Sequence, residues 1–189
     1  MAFADTPVLT GELVTLRPPT TDDVAVLHTL MRDIEVTVLT GSTHTSTPPA
    51  GDSYTVGQLQ EIYARWASAD DRHVWAIVEA ATDAVVGEVL LTDLDEGNHS
   101  CGFRTWIAGA TGRGLGTEAT RLVLWHAFEV EGLNRVQLEV YAFNPRARHV
   151  YEKVGFEVEG TMREALRFDN GWVDAHLMAV LARDWRGGN

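Results

Sequence analysis

Thr105-Trp-Ile-Ala-Gly-Ala-Thr-Gly-Arg-Gly-Leu-Gly-Thr-Glu-Ala119 decides the fold. It reads as the end of a strand, a turn with glycines at Gly109, Gly112, Gly114 and Gly116, and the start of a helix. A helix start presents unpaired backbone N–H groups and the positive end of the helix dipole, so it attracts an anion. Glycines let that anion approach the backbone with no Cβ in the way. The stretch therefore predicts a phosphate-bearing ligand at Gly112, Arg113, Gly114, Leu115, Gly116 and Thr117. No Gly-Lys-Ser/Thr follows, so the lysine and hydroxyl of a nucleoside-triphosphate loop are missing. Nor is the spacing Gly-x-Gly-x-x-Gly, which argues against a dinucleotide fold.

Leu115, Ala119, Leu122, Val123, His126 and Ala127 recur at helical spacing behind the loop, and Gly132 ends that helix. Val136, Leu138, Val140 and Ala142 then alternate with polar neighbours, as in a strand. In Asn144-Pro-Arg-Ala-Arg-His-Val-Tyr-Glu-Lys-Val-Gly-Phe156, Asn144 suits an N-cap, Pro145 the first helical position and Gly155 the position past the end. Tyr151, seven residues after Asn144, falls on the same stripe of that helix.

These two segments, in this order, resemble the acyl-CoA motifs of the GNAT superfamily of N-acetyltransferases, and specifically its RimJ/RimL-like branch. Gly11–Arg17 resembles that family's first strand and Trp172–Met178 its last hairpin. The resemblance implies a mixed α+β fold with a central, mostly antiparallel twisted sheet, helices on both faces and a splayed strand pair that binds CoA. It implies acetyl-CoA as cosubstrate and no metal. Pantetheine would pair with the backbone of Trp106, Ile107 and Ala108 and meet Asn144, and Arg148 would join the cofactor contacts. Tyr151 would act as the acid for the departing thiolate. From their place on strands near the proposed site, Glu88 and Glu139 are the candidate general bases, with water as the alternative proton carrier. The chain departs from the pattern at Thr111, where Gln or Arg is usual, and at Ala147, where a serine hydroxyl is usual. The implied acceptor is a protein N-terminal α-amine, with a small-molecule amine as the alternative; the resemblance also allows a homodimer. A non-catalytic acyl-CoA-binding module is the alternative from another functional class.

The 189 residues, 45% of them hydrophobic, suit a single domain over residues 1–189 with a flexible tail at 186–189. The formal charge of −12 argues against a nucleic-acid partner, which needs a basic face, and suits a cationic amine. No apolar run approaches the ~20 residues that span a bilayer, and the single cysteine, Cys101, fits a reducing, cytoplasmic setting as a small buried apolar residue. The seven histidines show no metal-ligand spacing, and His44 reads as a solvated loop residue. Nearer the N-terminus, Thr20 or Thr21 should cap a helix to about Met31, and a second helix should run from Val56 to Ala67. Residues 41–52 should form a loop and, with those two helices, shape the amine site. Strands are expected at Val74–Glu79, Val85–Leu91 and Cys101–Ile107, with turns at Ala81–Ala84 and Asp93–Asn98.

Overall fold

The computed structural model describes residues 3, 5–47, 54–109, 112–185 and 187. One interior strand of its sheet, β3 (His73–Glu79), is buried at every position. A strand without an exposed face needs a cover on both sides. The chain supplies one with helices α1 (Thr21–Leu30), α2 (Ile34–Leu39) and α3 (Val56–Ala67), and the other with α4 (Leu115–Trp125) and α5 (Pro145–Lys153). Val24, Leu27, Val36, Leu59 and Tyr63 pack with Val74, Leu90 and Trp106 on the first side. Leu115, Ala119, Val123 and Leu124 pack with Trp75, Ile77 and Leu91 on the second. Each fully buried Leu, Val or Ile contributes about 1.5–3 kcal/mol relative to exposure.

Among the described residues the sheet has eight strands: β1 (Leu9–Thr10), β2 (Val14–Arg17), β3, β4 (Ala84–Asp95), β5 (Ser100–Ile107), β6 (Arg135–Tyr141), β7 (Glu157–Phe168) and β8 (Gly171–Leu181). Their spatial order is β1-β2-β3-β4-β5-β6-β8-β7. Every neighbouring pair is antiparallel except β5 and β6. Those two are parallel and pair only at Ser100–Arg135, Cys101–Val136 and Gly102–Gln137. Beyond Gly102 they part, and this is the expected splay. Where the β3–β4 ladder shifts register near Ile77/Val78, the Val86 carbonyl accepts from the Ala108 N–H at 2.9 Å, fixing the end of β5.

The caps follow the local sequence. Thr20 and Asp23 form a capping box on α1, Thr55 and Gln58 one on α3, and Asn144 accepts from the Ala147 N–H at 3.0 Å at the start of α5. The alternation of Val136, Leu138 and Val140 is reproduced in β6, with those three buried, but Ala142 lies outside the strand and is exposed.

Several expectations need correction. The turn placed at Asp93–Asn98 starts later, because β4 continues to Asp95, which pairs with Ser100. The first strand begins earlier, as the two-residue β1. The helix after the glycine loop ends in a π-turn at His126–Val130. Helix α2 and the long strand β7 had no counterpart in the sequence reading; Ile-Glu-Val-Thr-Val-Leu is β-branched and short, so its pattern hides a helix capped by Asp33. Of the 41–52 loop, residues 48–52 lie outside the described residues, as do Thr111 and all of the 186–189 tail except Gly187. Among the described residues no helix is long and apolar enough to cross a membrane.

Candidate active site

Where β5 and β6 diverge, a cleft of roughly 1250 Å³ opens between them, floored by α5 and closed at one end by the start of α4. That exceeds the usual 300–1,000 Å³ of a small-ligand pocket and suits a long cosubstrate. From Phe103 to Ile107 the edge of β5 that faces β6 has no ladder partner, so its backbone groups are available to an extended ligand with amides of its own.

Helix α4 differs from the other α-helices at its start. Thr20, Asp33, Thr55 and Asn144 each cap a helix with a side chain, whereas Gly114 at the N-cap of α4 makes no side-chain cap bond. Gly114 holds φ = 84°, a left-handed conformation that favours glycine. Gly112, Gly114, Leu115, Gly116 and Thr117 line the cleft, so uncapped amides of the first turn and the positive end of the helix face its interior. The fit to a diphosphate is therefore good.

Glu118, in the same turn, points the other way. Its carboxylate accepts from the backbone N–H groups of Glu12, Leu13 and Val14 at 3.0, 2.7 and 2.8 Å. This clamp ties α4 to the β1–β2 turn, and no sequence signal announced it, since a first-turn glutamate is ordinary dipole complementation.

The structure brings Trp106, Ile107, Ala108, the loop residues other than Arg113, Glu139, Asn144 and Tyr151 together on the cleft wall. Three predicted residues stand elsewhere. Arg113 reaches outward to Glu79 on β3, forming an ion pair. Arg148 donates to Glu152 one turn on, at 2.8 Å, while its neighbours Arg146, Ala147 and His149 line the cleft. Glu88 is buried beneath the wall, with Oε2 accepting from the Tyr63 hydroxyl and Oε1 from Trp106 Nε1 at 2.9 Å. Burial raises the Glu88 carboxyl above its ordinary pKa, but both oxygens are engaged and the group does not line the cleft. It holds Trp106 in place.

Tyr151 is 7% exposed and packs edge-on against Phe103 and Phe156, with centroids 6.1 and 5.8 Å away. Burial pushes its phenol up to about 12, so it stays protonated at neutral pH. Asn144 serves its cap and also donates its amide N–H to the Leu39 carbonyl at 3.4 Å, linking α5 to α2. Glu139 is exposed on the wall of β6.

The far side of the cleft is made by Asp33 at the N-cap of α2, by Glu35, Val36 and Leu39 within it, and by Thr40, Gly41 and Ser42 after it, so the start of the 41–52 loop reaches the cleft while α1 and α3 do not line it. Asp33 followed by Glu35 was the available signal, an N-cap with first-turn acid. His44 bonds to the Arg167 carbonyl at 2.9 Å, away from the cleft. Cys101 is buried, with its thiol pushed up to about 12, and carries no chemistry here.

Comparison with known proteins bears on the family and the fold. Residues 14–157 match the family model described as an acetyltransferase (GNAT) domain. A probable N-acetyltransferase of Bacillus subtilis, YjcK, is 32% identical over 140 residues, covering 71% of this chain and 77% of its own. A spermidine N(1)-acetyltransferase of Vibrio cholerae is 28% identical over 125 residues, 66% of this chain and 72% of its own. Among solved structures, spermidine N-acetyltransferase from Vibrio cholerae in complex with CoA and spermine superposes with a TM-score of 0.80 at 22% identity, over 92% of this chain and 98% of that one.

Proposed function

This chain belongs to the GNAT family of N-acetyltransferases, whose acyl donor is acetyl-CoA, and from that premise we propose that it acetylates an α-amine, most simply a protein or peptide N-terminus, by direct attack within a ternary complex. The observation that carries the substrate class is the state of the carboxylates. Glu88 is enclosed with both oxygens engaged, and Glu139 is an exposed carboxylate on the wall. Neither is a buried base opening onto the cleft. An α-amine of pKa ~8 is neutral in about one molecule in ten at pH 7, against about one in 2,500 for a lysine amine. Among the described residues no buried carboxylate opens onto the cleft to deprotonate a lysine amine, which favours the former.

When bound, acetyl-CoA supplies a thioester carbon activated for attack. The α4 N-terminus from Gly114 to Thr117 holds the diphosphate, and the free edge of β5 at Trp106–Ala108 pairs with the pantetheine amides. Asn144 lies beside that arm. The amine nitrogen forms a bond to the carbonyl carbon, the C–S bond breaks, and the thiolate takes the proton of the Tyr151 phenol. The amine proton leaves to Glu139 or to water. No acyl-enzyme is needed, since holding both reactants in one cleft supplies the proximity.

A second reading, a polyamine acceptor, is favoured by the acids of the cleft. Asp33, Glu35, Asp93, Glu139 and Glu159 line it, although Glu35 and Glu159 are paired with Arg146 and Arg135, each at 2.6 Å. The spermidine-acetylating relative supports the same reading. Thiol release from acetyl-CoA, measured with free N-terminal peptides, N-blocked lysine peptides and spermidine, separates the two. The α-amine reading expects the highest kcat/KM with the free peptides. Preference for spermidine would establish the second reading, and preference for the lysine peptides would overturn both. A chain that binds acetyl-CoA in calorimetry but turns over no amine would be a binding module.

A further inference from the structure

The histidines carry no metal-ligand spacing along the chain, yet the fold gathers two of them. His73 opens β3, His126 follows α4, and Glu131 ends the π-turn, 53 residues separating the two histidines. His73 Nε2 and His126 Nε2 are 3.4 Å apart, and Glu131 Oε1 lies 3.2 Å from the first and 3.0 Å from the second. These three atoms form a nearly equilateral triangle. Ligand atoms held about 2.0–2.1 Å from a tetrahedral zinc ion stand about 3.3–3.4 Å from one another. We propose that His73, His126 and Glu131 bind a divalent transition metal of the zinc class, at a site separate from the acetyl-transfer cleft.

The local backbone supports the triangle. Residues five apart on an α-helix point about 140° away from each other at 3.6 residues per turn. The π-turn closes a bond from the Glu131 N–H to the His126 carbonyl at 3.0 Å, and this wider turn brings the two side chains to one face. The far nitrogen of His73, Nδ1, meets Thr6 Oγ1 at 3.1 Å, the outer contact that fixes a ligating imidazole. Phe3 stacks on His73 with centroids 4.4 Å apart, and Trp75 flanks both rings. Both imidazoles are buried, while the Glu131 side chain keeps 12% of its surface exposed, which gives an ion and a fourth, water ligand a way in. None of the three lines the cleft.

The role is structural: the ion pins the end of α4 to the start of β3. Protein stripped with a chelator is titrated with Zn²⁺ by calorimetry and with Co²⁺ while the visible spectrum is recorded. One equivalent per chain, the strong visible bands of tetrahedral Co²⁺ and a Tm that rises with added Zn²⁺ are expected. Glu131→Gln and His126→Gln should weaken binding at least ~10-fold, the least that loss of even an outer partner costs. Failure of the wild-type protein to bind either ion overturns the proposal, and so does a Co²⁺ spectrum unchanged in both variants. The wild-type titration decides the matter even where a variant does not fold.

Discussion

Tyr151 is a core residue to which the proposed mechanism also gives the role of acid. Its ring is wedged between Phe103 and Phe156 while its position faces the cleft. Tyr151→Phe keeps the packing and removes only the proton donor. The kcat should fall on the order of 10²-fold with little change in the KM for acetyl-CoA, measured by steady-state thiol release. Because burial holds the phenol near 12, the wild-type pH–rate profile should show no loss from its ionisation at neutral pH. An unchanged kcat with chemistry rate-limiting would leave Tyr151 a packing residue. Asp23 offers a test of stability at the same scale. Burial alone would raise its pKa, but hydrogen bonds from Arg17 and Thr20 and the charge of Arg17 outweigh that and hold it below the ordinary 3.8. The unfolded carboxyl therefore takes up a proton more readily than the folded one, so the contribution is full above pH 3.8 and is lost as pH falls through the lower, folded value. Asp23→Asn should cost about 2–3 kcal/mol at pH 7, as a lost charged hydrogen bond and cap. In urea titrations, the gap to wild type should close in acid below about pH 3.8; a gap independent of pH would contradict this.

At the scale of elements, α4 organises the molecule from both sides of its first turn. Its amides face the cleft through Gly116, where an added Cβ would meet only Ile107 Cδ1, at an ordinary 3.6 Å. Gly116→Val should therefore fold yet obstruct the diphosphate, weakening acetyl-CoA binding at least ~10-fold, about 1.4 kcal/mol, in calorimetry. Normal affinity in a folded variant would remove the loop from the cofactor site. On the opposite side Glu118 holds three N–H groups of the β1–β2 turn. Glu118→Ala should cost about 1.5–3 kcal/mol in denaturant unfolding, the range for hydrogen bonds to a charged group. A loss under 0.5 kcal/mol, the level of an ordinary surface change, would mean that the clamp contributes nothing.

Over the whole molecule, the charge of −12 sets a long-range field that attracts amines. The Debye length shrinks from ~30 Å at 0.01 M salt to ~8 Å at 0.15 M. Raising the salt across that range should lower kcat/KM several-fold for a multiply charged polyamine and less for a singly charged peptide. Equal insensitivity of both would mean that the acidic surface serves solubility and not capture.

Local signals were legible because they depend on near neighbours. The caps at Thr20 and Asn144, the buried alternation of β6 and the φ-permissive glycines before α4 each follow from side chains a few residues apart. The resemblance carried by the glycine loop and the Asn144–Phe156 segment then extended that reading to the sheet, its splayed pair and the acetyl donor. Other features required the tertiary structure. Glu88 looked like a base on a strand, but residues 25 and 18 positions away engage both its oxygens. Arg113 stands in the glycine loop, yet Glu79, 34 positions away, takes its guanidinium group, whereas Arg148 pairs with Glu152 one helical turn on, a contact that the i,i+4 spacing already offered. Helix α2 hid behind β-branched residues and was revealed by its place opposite β6. The His73–His126–Glu131 triangle depends on a π-turn and on sheet–helix packing across 53 residues. Sequence by itself determined most of the helices and strands and the glycine turn before α4, because backbone preference acts locally, while α2 and β7 escaped it. Tertiary structure decided which polar atoms are free to act, because that depends on which distant group reaches them first.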